Sequence, residues 1–422
     1  MNKKLLAVAV AGALAAPGVA FAQAWVMTQE LPAASPSSVT IDGLFKVGLE
    51  NLNYGNALAT RLNSSQMRVV DNSSQIHFKS VEDLGNGLFA VARLDVRFAP
   101  PNASGVQTSN PIGSGNSYVG LASRTWGMLT TGRWDLHYGI SGVDMIAKAG
   151  ALEAWNVSLM DYIGASPIAN TTRTPNVVKW DSPNWNGFNG TVAWSASPFS
   201  DGGDMTNVAS SAGAQTLTAG AVPGSVAVGA AGAGLPSLTT TTRKGDAWNI
   251  NPRYFNGPFD IAYSYWRAKS DAPGAATNDQ RGDTVAGNYK FGGFKIGLAW
   301  NKSSLNNANT GALAAQRNAW SVPMSYVWGP NNIIAHYTRA GNSSNAGGTV
   351  NDSGAKMYAV AYVYDLSKRT SLGVTYAQIK NDANINYNFF TSSSLGTTDA
   401  GGAQTGAGEN PRLIQMTIAH YF

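Results

Sequence analysis

The feature that most constrains this chain is the rhythm of its connections. Segments of about ten residues alternate apolar with small or polar side chains, the mark of strands whose successive side chains point to opposite faces. Leu88, Ala90, Ala92, Leu94, Val96 and Phe98 fall on one face of such a segment, with Val91, Arg93, Asp95 and Arg97 on the other. Phe294, Ile296, Leu298 and Trp300 likewise oppose Lys295, Gly297, Ala299 and Asn301. Sixteen such segments run from residue 39 to the last residue. Long links cover 51–64, 99–114, 134–172, 198–243, 269–280, 304–315, 341–353 and 382–409. Between them stand short ones, at Asp83-Leu84-Gly85, Arg124-Thr125, 183–186, Asn256, Gly292, Gly329-Pro330 and Leu366-Ser367-Lys368. Strict alternation puts every long loop at one end of an up-and-down sheet and every short turn at the other. A soluble sandwich gives no reason for that segregation, whereas a membrane barrel with short periplasmic turns and long extracellular loops does.

The faces carry matching chemistry. Trp320 and Trp328 bracket an apolar face that also holds Val322, Met324 and Tyr326. At roughly 3.3 Å per residue and about 40° of tilt the two indoles stand about 20 Å apart along a membrane normal, which suits two aromatic girdles. In lipid an open sheet edge leaves backbone groups unpaired, so the sheet must close. Sixteen strands closed on themselves surround an aqueous channel. The inward positions include Lys46, Arg93, Arg97, Arg253, Lys290 and Lys295, with Asp42, Glu50 and Asp95.

Composition excludes the competing classes. Charged residues make up 13% of the chain, about half of what a soluble surface carries. No apolar run of about 18 residues follows the N-terminal segment, which argues against transmembrane helices. With no cysteine there is no disulfide framework, Cys-ligated metal or thiol nucleophile. The formal charge of +5 comes without a Lys/Arg run, too mild for a nucleic-acid partner. Lys3 and Lys4, the apolar stretch Leu5 to Ala16, and Ala20-Phe21-Ala22 have the order of a secretory signal peptide over residues 1–22. Residues 23–422 are then one barrel domain, with a low-complexity extracellular loop at 198–243. Four histidines, at 77, 137, 336 and 420, form no metal or hydrolase motif, so no catalytic residue, metal or cofactor is expected.

Three stretches stand out: Ser80-Val81-Glu82-Asp83-Leu84-Gly85-Asn86-Gly87-Leu88-Phe89-Ala90, then Tyr118-Val119-Gly120-Leu121 with Trp126-Gly127 and Thr131-Gly132-Arg133, and Asn176-Val177-Val178-Lys179-Trp180-Asp181-Ser182-Pro183. They resemble segments of general Gram-negative trimeric porins, especially those of β-proteobacteria. The final strand ends on Phe422, similar to the terminal aromatic read by the barrel-assembly machinery.

The resemblance implies a 16-stranded antiparallel transmembrane β-barrel, all-β, assembled as a homotrimer among the lipids of a Gram-negative outer membrane. Its long third loop, here 134–172, folds into the pore. Acids of that loop, Asp144, Glu153 and Asp161, would face a basic wall of Arg133, Arg173, Arg93 and Arg97. One expected arginine is missing: Gln75 stands in its place, and His77 replaces a glycine. The expected function is passive diffusion of small hydrophilic solutes and ions with mild anion preference. The alternatives are a substrate-specific porin for an organic acid or sugar, and a barrel enzyme or adhesin.

Overall fold

The computed structural model describes residues 37–55, 64–98, 100, 113–137, 150–164, 166–169, 173–196, 198, 245–270, 278–307, 310–390 and 405–422. The expected signal peptide, Asp144 and nearly all of the low-complexity loop lie outside them.

Sixteen antiparallel strands form a closed barrel. They are β1 (Ser38–Gly55), β2 (Ser65–Asp71 continued by Gln75–Gly85), β3 (Leu88–Arg97), β4 (Ser117–Ser123), β5 (Gly127–Trp134), β6 (Thr174–Asp181), β7 (Phe188–Ser195) and β8 (Gly245–Asn256). There follow β9 (Phe259–Ser270), β10 (Asn278–Phe291), β11 (Phe294–Asn307), β12 (Leu313–Trp328), β13 (Asn331–Ala340), β14 (Ala355–Asp365), β15 (Thr370–Asn381) and β16 (Asn410–Tyr421). Each strand pairs with the next, and β16 returns to β1, with Leu44 opposite Tyr421 and Gly55 opposite Asn410. No edge is left unpaired, as a lipid environment demands. The short turns sit where the sequence puts them. Gly257, Gly292 and Gly329 adopt φ of +55°, +56° and +54°, which tight hairpins require and glycine allows at no steric cost.

One strand departs from the expectation of an unbroken segment over 65–80. β2 is interrupted at Asn72–Ser74, where Ser73 takes φ of +76°. The break satisfies its own backbone. The Asp71 carboxylate accepts the amides of Ser73 (3.0 Å) and Ser74 (3.1 Å), Asn72 N–H donates to the Lys46 carbonyl (2.8 Å), and Lys46 N–H donates to Ser74 Oγ (3.1 Å). Both halves still pair with β1.

The two faces of the barrel differ in chemistry. Leu298 is 60% exposed and Met416 61%, whereas Asn301, Ser303, Ser321 and Thr338 are buried. So much continuous apolar exposure is what a lipid-facing surface presents. Toward the short turns, Phe291 stacks on Phe294, Phe294 on Tyr326, and Tyr326 on Trp328, at 5.4, 4.1 and 5.2 Å. Toward the long loops, Tyr337 contacts Trp320 and Tyr358 at 5.2 and 5.1 Å. These are the two girdles, with Ile296, Leu298 and Met324 between them. No helix among the described residues is long and apolar enough to cross a membrane.

Candidate functional site

The inner face gathers charge on one side. Arg93, Asp95 and Arg97 alternate along β3, so all three point into the barrel. Asp95, fully buried, accepts Arg97 Nε at 2.7 Å and Nη2 at 2.9 Å, and Arg93 Nη2 at 3.3 Å. Arg97 Nη1 donates to Ser73 Oγ at 2.5 Å, so the break in β2 helps to hold the guanidinium. Arg173, at the start of β6, is ion-paired with Asp135 at 3.2 Å and lies within electrostatic reach of Arg97 and Asp95. Asn116 ties the groups together. Its backbone N–H donates to Asp95 Oδ2 (3.2 Å), its Nδ2 to Asp135 Oδ2 (3.0 Å), and its Oδ1 accepts Asp135 N–H (2.7 Å). Beside this wall, Asp42 is shared by Lys79 and His77, each at 2.7 Å.

The third long loop runs against the same inner face. Its described residues include a 3-10 turn, Leu152–Ala154, and a short helix, Val157–Met160. Ala151 N–H donates to Thr375 Oγ1 of β15 (3.1 Å), and Leu152 N–H donates to Asn72 Oδ1 at the break in β2 (2.6 Å). His336 Nε2 meets the Ala154 carbonyl (2.9 Å), and Asn156 Nδ2 donates to Ser321 Oγ of β12 (3.0 Å). Further along, Arg317 Nη2 donates to the Met160 carbonyl (2.6 Å) and Asn301 Nδ2 to Asp161 Oδ1 (3.5 Å). Where the loop leaves β5, His137 bonds Ser264 Oγ at 2.9 Å through Nδ1. Burial pushes the His137 imidazole down to about 3, so it is a neutral strut. The described residues of the loop thus bond inner-face groups of β2, β9, β11, β12, β13 and β15.

Of the expected loop acids, Asp144 lies outside the described residues. Glu153 and Asp161 are both fully buried against the wall. Glu153 Oε2 accepts Gln415 Nε2 at 3.0 Å, and the same nitrogen donates to Glu50 Oε2 at 2.9 Å. Arg68 holds the other oxygen of Glu50, with Nη2 at 2.7 Å. Burial, followed by the charge of Glu50, keeps the Glu153 carboxyl well above the usual carboxylate range. Glu153 is therefore a neutral latch.

Of the four arginines expected on the wall, the structure brings together Arg93, Arg97 and Arg173. Arg133 follows the alternation of β5. It lies opposite Ser117, on the parity of Leu129 and Thr131, and its Nε donates to the Ser114 carbonyl at 3.1 Å. Trp134 takes the inward position instead, stacked on Tyr118 at 4.1 Å with the Lys179 ammonium 3.9 Å from its ring centre. The irregularity near Gly132 inserts its extra residue in β6, around Asn176 with φ of +54°, so the parity of β5 is never reset. Sequence reasoning passed over Asp135 as the partner of Arg173, and also the buried Lys179–Asp181 pair at 2.6 Å. Lys179 and Asp181 alternate along β6 as Arg93 and Asp95 do along β3, a signal that was available. The terminal Phe422 is stitched to β1, its N–H donating to the Gly43 carbonyl at 3.2 Å.

A model described as Gram-negative porin matches residues 7–384. The chain belongs to that family. An outer membrane porin protein of Bordetella pertussis is 25% identical over 343 residues, covering 74% of this porin and 78% of the relative. A major outer membrane protein P.IA of Neisseria meningitidis is 25% identical over 404 residues, covering 87% and 96%. Among solved structures, the anion-selective porin from Comamonas acidovorans aligns over 92% of this porin and 100% of its own chain, with a TM-score of 0.63 and 21% identity, a likeness of fold. The protein is an outer-membrane barrel that acts as a passive diffusion channel.

Proposed function

We propose that the porin passes small hydrophilic solutes and ions down their gradients, with a mild preference for anions, and carries out no reaction. The observation that carries this reading is the gathering of Arg93, Arg97 and Arg173 about two carboxylates, Asp95 and Asp135. Asp71, a third carboxylate within reach of Arg97, is turned onto the amides of Ser73 and Ser74. Near the same break in β2, Glu153 is held neutral and adds no negative charge there. Preformed cationic groups at a narrow point favour anions and orient charged solutes. The near balance of charge makes the preference mild. The anion-selective character of the Comamonas acidovorans porin, which shares the fold, is consistent with it.

In this reading residues 1–22 direct export, Phe422 is the signal for barrel assembly, and the mature porin is a homotrimer among outer-membrane lipids. Loop 134–172 is the constriction. The test is the reversal potential of Arg93→Gln/Arg173→Gln in a planar bilayer under a KCl gradient. The potential should move toward the cation side relative to the parent. An unchanged potential overturns the assignment.

A further inference from the structure

The lumen carries a second concentration of positive charge, away from the constriction. Lys290 ends β10 and Lys295 begins β11, and the two stand directly opposite one another across the tight turn at Gly292. Both have inward parity: Lys290 follows buried Ala286, and Lys295 precedes buried Ala299 on alternate positions. Like charges directly opposite on one face of a sheet repel, so a bare pair of lysines is an unfavourable choice for these positions.

The neighbours do not relieve it. The charged groups within electrostatic reach of Lys295 are Asp260, Arg253 and Lys290. Asp260, their one acid, is already committed. Arg253 grips it with Nε at 2.6 Å and Nη2 at 2.5 Å, and Asn288 Nδ2 approaches Oδ2 at 3.4 Å. Three cations therefore share one occupied carboxylate. Their depth is fixed from outside. Phe291 and Phe294 stack on the outer face of the same turn, in the aromatic girdle of the short-turn end. The patch thus lines the periplasmic mouth, on strands β8–β11.

Resting on the anion-channel reading, we propose that Lys290 and Lys295, backed by Arg253, form a second anion station at the periplasmic mouth. It takes a small oxyanion with two or more acceptor oxygens, of the phosphate or dicarboxylate class. Two ammonium groups facing each other across a ladder can share such an ion, which chloride with its single centre fills less well. An anion that passes the arginine wall meets this station next.

The probe is inorganic phosphate, added to the purified porin in a planar bilayer at constant ionic strength while chloride current is recorded. The parent should show a saturable reduction of chloride current. Lys290→Gln/Lys295→Gln should weaken that block by about fivefold or more, with the chloride-over-potassium reversal potential largely retained. Lys290→Arg/Lys295→Arg, which keeps the charge, should retain the block. Equal block in the parent and the glutamine variant overturns the station, as does no saturable block in the parent. A parent that is cation-selective overturns the anion-channel reading itself, and is told apart by its reversal potential alone. Retained heat-modifiable migration of the variants on a gel certifies that the barrels have folded.

Discussion

Arg97 and Asp95 meet side-on, through two parallel hydrogen bonds of 2.7 and 2.9 Å, in a place where Asp95 has no contact with solvent. The two residues are neighbours on one face of β3, so the strand itself sets their spacing. A carboxylate that also receives Arg93 and the Asn116 amide is the hub of the wall.

Asp95→Asn leaves Arg93 and Arg97 without their counter-charge. Breaking a buried ion pair by removing one partner costs about 3 kcal/mol, to be read from urea unfolding in detergent or lipid. Where the barrel survives, the wall is more positive and the reversal potential should move further toward chloride. Gly115→Ala acts on the same hub, since a Cβ there would overlap the Asp95 carboxyl. It should destabilise the barrel in the same direction.

Glu153 sets a pH dependence for the loop. Docked against Glu50 and Gln415, the loop holds a proton that the undocked loop releases in the ordinary carboxylate range. Docking is therefore fully favoured below that range and weakens as pH rises through the raised value of Glu153. Single-channel recordings should become noisier toward alkaline pH. Glu153→Gln keeps the hydrogen bond from a neutral side chain and should flatten that dependence. Equal pH profiles for parent and variant contradict the latch.

Asn72→Ala removes the acceptor of the Leu152 amide and should loosen the loop by about 1 kcal/mol, visible as faster proteolysis around Leu152 at unchanged barrel stability.

Leu298 lies midway between the girdles on the outer face. Leu298→Arg should lower folding stability in bilayers by about 2–4 kcal/mol. Ser303→Lys, on the buried inner face of the same strand and directly opposite Arg317, should also lower stability, through like-charge repulsion and burial of a charge rather than contact with lipid.

The barrel was legible because every signal for it is local. Period-two faces, short turns at Asn256, Gly292 and Gly329-Pro330, and the Trp320–Trp328 spacing depend on neighbours in sequence. The inward parity of Arg93, Asp95 and Arg97 followed directly. What escaped is set by contacts across the lumen. The break at Asn72–Ser74 exists beside a loop amide eighty residues away in sequence. The neutrality of Glu153 comes from burial and then from the charge of Glu50 on another strand, and Asp135 becomes important only once Arg173 is opposite it. Arg133 keeps the parity of Leu129 and Thr131, because the extra residue went into β6 and left β5 regular.

The central claim is that the arginine wall makes this porin prefer anions. It is tested most directly by the reversal potential of the purified, refolded parent protein in a planar bilayer under a KCl gradient. Stepwise conductance with a potential on the chloride side is the predicted result. Stepwise conductance with a potential on the potassium side would contradict the wall of Arg93, Arg97 and Arg173 as the selective element, and a folded barrel without conductance would contradict the channel itself.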